Sequence, residues 1–178
     1  RRVDGLILWP SFAVAYYDHF RELIERKVPV AVIDHEYSED QIADSIETDE
    51  AASARAVAEH LISLGHKQIA CLWWREAAWQ AWAVRRRECF EQAVEDLGGA
   101  PVKSWRLNAW GTDGLEIARE ILSQSPRPTA VFAVTDHEAL YLYEAAAELG
   151  IEIPRDLSVV GFADLDFAAN LRPALTTM

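Results

Sequence analysis

The chain has 178 residues, of which 51% are hydrophobic and 26% charged, an ordinary globular composition that excludes a disordered or low-complexity protein. It is long enough to bury a core without disulfide staples. With 29 Asp and Glu against 17 Lys and Arg the formal net charge is -12, so its surface repels phosphate backbones and anionic lipid, and this chain alone is a poor DNA or membrane binder.

In chain order, strands are expected at Leu6 to Trp9, Pro29 to Asp34, Gln68 to Trp74, Trp105 to Trp110, Ala130 to Thr135 and Leu157 to Phe162. Most are continuous runs of Val, Ile, Leu or aromatics, the pattern of strands buried on both faces of a parallel sheet. Five helical stripes lie between them. They are Phe20, Leu23, Ile24 and Val28; Ala54, Val57, Ala58, Leu61 and Ile62; Phe90, Ala93, Val94 and Leu97; Leu115, Ala118, Ile121 and Leu122; and Ala139, Leu142, Ala146 and Leu149. Gly65, Gly98 and Gly150 each stand where a helix can close in the left-handed conformation. Asp49 and Asp113 are placed to cap helix starts, and Asp136 reads as a capping Asp followed by exposed side chains. Repeated β-α units predict an open α/β fold with a parallel sheet flanked by helices. Cys71 and Cys89 are expected as reduced thiols, which suits a cytoplasmic protein. The first residue is not Met and the last segment lacks a cap, so the chain is expected to be cut from a longer protein.

Ligands in open α/β sheets bind beyond the carboxyl ends of the strands. The residues there are Trp9 and Ser11; Asp34 and His35; Trp73, Trp74 and Arg75; Asn108 and Trp110; Thr135, Asp136 and His137; and Asp164 and Asp166. Aromatic faces stack on a sugar ring or a nucleobase, while carboxylates and amides bind hydroxyls, so the rim suits a small polyhydroxylated or heterocyclic ligand. Single tryptophans fill cores as often as sites. The run Trp73, Trp74, Trp79 and Trp82 is harder to explain by core filling alone. No Gly-x-Gly-x-x-Gly, Walker-type Gly-Lys-Ser/Thr, Gly-x-Ser-x-Gly or Cys-x-x-Cys is present, so nothing points to an enzyme. The successive residues Asp136, His137 and Glu138 diverge on a helix start and do not make a metal site. Arg85, Arg86 and Arg87 diverge likewise, so at most one or two can reach one ligand.

Several segments then follow one another at characteristic spacing: Val3-Asp4-Gly5-Leu6-Ile7, Pro29 to Asp34, His60-Leu61-Ile62-Ser63-Leu64-Gly65-His66-Lys67-Gln68-Ile69-Ala70, Arg86 to Phe90, Pro128 to Ala133 with Thr135-Asp136, Ile153 to Phe162, and Pro173-Ala174-Leu175-Thr176-Thr177. Together they resemble the effector-binding domain of LacI/GalR-family transcriptional repressors, over essentially the whole chain.

The resemblance implies a periplasmic-binding-protein-like fold of two lobes. Residues 1–61 would be an incomplete N-terminal lobe and 62–174 the C-terminal lobe, with the DNA-binding headpiece absent from this chain. No cofactor and no metal are expected. The function that the resemblance implies is allosteric control of operator DNA binding through that headpiece, by a small effector held between the lobes. The expected effector class is a sugar. A solute-binding protein of a sugar transporter is the alternative. The effector residues it implies are Trp9, Ser11, His35, Asp49, Arg86, Thr135 and Asp164, and Trp74 and Asp136, from the same rim of strand ends, are expected to join them. Ala163 stands where the family has an acidic residue, which removes a hydroxyl acceptor, and Trp73-Trp74 replace small residues. Repressors of this family pair through both lobes. With Leu140 and Tyr141 lying off their helix's apolar stripe, a homodimer with both in the interface is expected.

Overall fold

The structure, a computed structural model, describes residues 3–8, 22–23, 25–33, 44–74, 81–108 and 112–178. The chain divides into two units, Arg1–Asp49 with Ala77–Trp82, and Glu50–Glu76 with Ala83–Met178. The first crossing, between Asp49 and Glu50, lies earlier than the expected boundary at residue 61. Helix α1 (Glu50–Ser63) is the reason. Its stripe of Ala54, Val57, Ala58 and Leu61 is buried in the core of the second unit, with Phe90 and Phe132.

The first unit holds three parallel strands, β1 (Leu6–Leu8), β2 (Val30–Ile33) and β3 (Asp44–Ile46), in the order β1-β2-β3. Leu6 lies opposite Val30, and Ala31 opposite Asp44. β3 was not among the expected strands. All three of its residues are exposed, so it shows no apolar run. Of the stripe from Phe20 to Val28, only part is described, and Glu22, Leu23 and Glu25 are helical.

The second unit runs β4 (Ile69–Trp74), α2 (Ala81–Asp96), β5 (Lys103–Leu107), α3 (Gly114–Leu122), β6 (Ala130–Ala133), α4 (Asp136–Glu148), β7 (Ser158–Gly161) and β8 (Thr176–Thr177). Its strands form one parallel sheet in the order β5-β4-β6-β7-β8. Strand residues alternate faces, and that alternation divides the core in two. Ala70, Leu72, Val131 and Ala133 pack with Ala118, Ile121 and Leu142 of α3 and α4. Ile69, Cys71, Ala130 and Phe132 pack with Leu61 and Phe90 of α1 and α2. Both faces are therefore covered, as the uninterrupted apolar runs require. Cys71 and Cys89 are free thiols. Leu149 departs from its expected stripe: it is 45% exposed, because it caps the end of α4 beyond the last turn that meets the sheet. Gly150 follows it at φ 67°, closing the helix left-handed.

At the amino ends of β6 and β7, His66 bridges two hydroxyls, with Nδ1 2.9 Å from Thr129 Oγ1 and Nε2 3.0 Å from Ser158 Oγ. Partial burial, and then the charge of His60, lower its pKa. A neutral ring, which has one N–H donor and one bare nitrogen acceptor, suits the two hydroxyls.

Candidate functional site

Strand order reverses between β4 and β6: β5 lies on one side of β4, and β6 and β7 follow on the other. The crevice beyond the carboxyl ends of β4 and β6 is thus the place where an open α/β sheet receives a ligand. Glu50, Arg86, Asp136 and Glu138 are the buried charged residues among those described, and all four belong to this corner. Burying a charge costs several kcal/mol in real proteins unless it is paired and hydrogen-bonded, so such a concentration marks a site built for function.

Arg86 projects from α2 beneath Val134, the residue that follows β6. Its Nε and Nη2 donate to the two carboxylate oxygens of Glu50, at 2.7 and 2.8 Å, and Nη1 donates to the Val134 carbonyl at 2.8 Å. The pair is bidentate and buried, the geometry in which arginine binds a carboxylate most strongly. Phe162 lies against the guanidinium, whose central carbon is 3.3 Å from the ring centroid. Arg87, the next residue of α2, turns away. It pairs with Glu91 and Glu88 and lies over Trp73. The expected divergence of the arginines is what the helix produces.

The start of α4 corrects the capping assignment. Thr135, not Asp136, is the cap: its backbone is extended, and its hydroxyl accepts from the His137 N–H. Glu138 folds back to complete a capping box. One of its oxygens accepts the Thr135 N–H at 2.7 Å and the Thr135 hydroxyl at 2.6 Å. Glu138 is therefore buried, not exposed as expected; His137 is exposed. Burial pushes the Glu138 carboxyl up to about 7, against the opposing pull of the Thr135 bonds and the more distant Arg86 charge.

Asp136, fully buried, points across to β7. Its Oδ1 accepts the Thr177 hydroxyl at 2.6 Å and its Oδ2 accepts the Leu165 N–H at 2.7 Å. Gly161 is necessary here, since a Cβ at that position would lie 2.2 Å from Asp136 Oδ1. The turn that Asp136 holds carries Ala163 at φ 108° and Asp164 at φ 49°. Asp164 is exposed, and its N–H donates to Thr177 Oγ1 at 3.2 Å.

Of the residues named from the sequence, Arg86, Thr135 and Asp136 come together here, with Asp164 on the adjoining turn. Trp74, at the end of β4, is half-buried and packs against the cores on both faces of the sheet. Asp49 is exposed and belongs to the first unit. Trp9, Ser11 and His35 lie outside the described residues. Leu140 is 36% exposed on α4, while Tyr141 is partly buried over Gly114. Asp113 begins α3 without capping it through its side chain; its carboxylate takes the Asn108 N–H instead. Glu50, Glu138 and Phe162 are members that the sequence reading missed. Among the described residues no cluster of three or more His, Cys, Asp or Glu could hold a metal ion, and no helix is long and apolar enough to cross a membrane.

Residues 58–178 match the family model described as periplasmic binding protein-like domain. The chain is 30% identical over 182 residues to the HTH-type transcriptional repressor PurR of Edwardsiella ictaluri, and 31% identical over the same length to that of Serratia proteamaculans. Each match covers 100% of this chain and 52% of the relative, so the chain spans about half the length of these repressors. Among solved structures it is similar to a LacI family transcriptional regulator from Enterococcus faecium with bound ribose, at 29% identity and a TM-score of 0.79, covering 98% of this chain and 64% of that one. A LacI family regulatory protein from Chloroflexus aggregans matches at 27% identity and a TM-score of 0.80, over 98% of this chain and 62% of that one. The parallel sheets, the chain order and these matches agree: the chain belongs to the periplasmic binding protein-like domain family, in the form that serves LacI-family regulators as their effector-binding domain.

Proposed function

We propose that the intact protein is a transcriptional regulator in which this chain senses a sugar and alters DNA binding by a headpiece elsewhere in the protein. The observation that carries the reading is the buried corner of Arg86, Glu50, Thr135 and Glu138 at the carboxyl ends of β4 and β6. It is polar, built from charge-assisted bonds and faced by the ring of Phe162, as a site for a hydroxylated ring requires. Ribose is bound to the similar regulators from Enterococcus faecium and Enterococcus faecalis, which supports the sugar class. Arg86, Thr135, Asp164 and Trp74 are the proposed contact residues. Asp136 acts through the turn that it holds. The effector shifts the DNA-binding equilibrium only by the difference in its affinity for the two states of the protein. The regulator works in the cytoplasm as a homodimer, with no catalytic step.

Calorimetry of the intact protein against ribose, other pentoses and hexoses, purine bases and amino acids tests the reading. A saturable sugar heat is expected. Replacing Arg86 by Lys, which keeps the charge but breaks the bidentate pairing to Glu50 that holds this corner, lowers affinity about 10-fold or more. Tight binding of a purine with no response to any sugar overturns the sugar assignment.

A further inference from the structure

The Arg86 fork is already filled. A guanidinium presents parallel N–H groups that match a carboxylate or a phosphate, and this one is turned onto the two oxygens of Glu50. We infer that Glu50 is the specificity residue of the site: it occupies the seat that an anionic ligand would need, so the effector is an uncharged polyol and not a sugar phosphate or a sugar acid. The inference rests on the reading of this corner as the effector site.

An incoming phosphate that took the fork would gain charge-assisted bonds to Arg86 and forfeit the equivalent bonds of Glu50. The exchange therefore starts with no net gain. The displaced Glu50 carboxylate would then be a buried charge without its partner, which is strongly unfavourable. It would also stand beside the ligand's own charge. The next arginine of α2 offers no substitute fork, since Arg87 is engaged by Glu91 and Glu88 against Trp73. A neutral hydroxylated ligand meets none of these penalties. It can bind at the rim while the Glu50–Arg86 pair stays intact.

Thermal unfolding of the intact protein across a series of inorganic phosphate concentrations, with ionic strength held constant by chloride, tests this. The wild type is expected to show no phosphate-specific stabilisation. Glu50→Gln keeps the shape and removes the charge, so phosphate can pair with Arg86. Its melting temperature should rise by roughly 5–10 °C once phosphate reaches about 100 times its Kd. The double variant Glu50→Gln with Arg86→Gln should lose that response. A wild type that responds as strongly as Glu50→Gln overturns the inference, and so does a Glu50→Gln protein indifferent to phosphate. If Glu50→Gln does not fold alone, Glu50→Asp loosens the fork more gently and is run in the same series. Folding recovered by phosphate supports the inference, and a variant unfolded at every concentration counts against it. Ribose titration of the wild type, run alongside, separates the two claims: absence of sugar binding removes the functional reading and leaves the phosphate result intact.

Discussion

Glu138 titrates near neutrality because burial works on it harder than its hydrogen bonds do. The folded protein retains a proton on this carboxyl at pH values where the unfolded chain has lost it. Stability from this group is therefore present below its ordinary value of 4.5 and is lost as pH rises to the folded value of about 7. Across that window the loss amounts to about 3 kcal/mol. Glu138→Gln keeps an oxygen to accept the Thr135 N–H and hydroxyl while removing the ionisation. The variant is expected to flatten the stability profile between pH 5 and 8 and to be the more stable protein at pH 8. Urea unfolding at both pH values measures it. Identical pH slopes in the two proteins would remove Glu138 as their source. Arg86 and Thr135 bear on the same carboxyl, so the experiment also reports on the candidate site.

At the scale of elements, α3 and α4 meet through a glycine. A Cβ on Gly114 would lie 2.4–2.6 Å from three ring atoms of Tyr141. Alanine is the better helix residue by roughly 0.5–1 kcal/mol. Overpacking here is expected to cost about 1–3 kcal/mol and so to decide the sign. Gly114→Ala should destabilise the protein, and the same change in a Tyr141→Ala background should become neutral or stabilising. A double-mutant cycle reads the coupling directly; equal effects in both backgrounds would refute the contact.

The elements that the sequence reveals are those buried on both faces. β4, β6 and β7 are apolar runs for that reason, and the stripes of α1 to α4 follow the cores they face. β3 and β8 lack that signal, being short and mostly exposed. β5 begins at Lys103, earlier than its apolar part, because hydrogen bonding to β4 continues along residues that bury little. The site was legible in part. Arg86 and Thr135 stand out by motif, and Thr135-x-x-Glu138 has the spacing of a capping box, which decides against Asp136 as the cap. Glu50 carries no such mark. A glutamate at a helix start is ordinarily solvated, and only the tertiary fold brings it to an arginine 36 residues away.

At the scale of the whole molecule, association is the property most open to test. Sequence periodicity treats Leu140 and Tyr141 as equal candidates for a partner surface. The fold separates them. Tyr141 is partly consumed by Gly114, whereas Leu140 is more than a third exposed on α4. In the proposed isologous dimer each Leu140 meets the same surface of its mate, so one substitution acts twice. Leu140→Asp would place two carboxylates in that contact and should dissociate the dimer with little effect on the fold. Tyr141→Asp should instead destabilise the monomer, because it disturbs the α3–α4 contact. Charge sets the conditions. This chain carries a formal net charge of -12, so two copies repel, and added salt should strengthen pairing by shortening the Debye length to about 8 Å at physiological ionic strength. Sedimentation equilibrium of the intact wild type and of Leu140→Asp, at low and physiological salt, decides the matter. A wild type that is monomeric at both, or a charged variant that dimerises as well as the wild type, removes α4 from the interface.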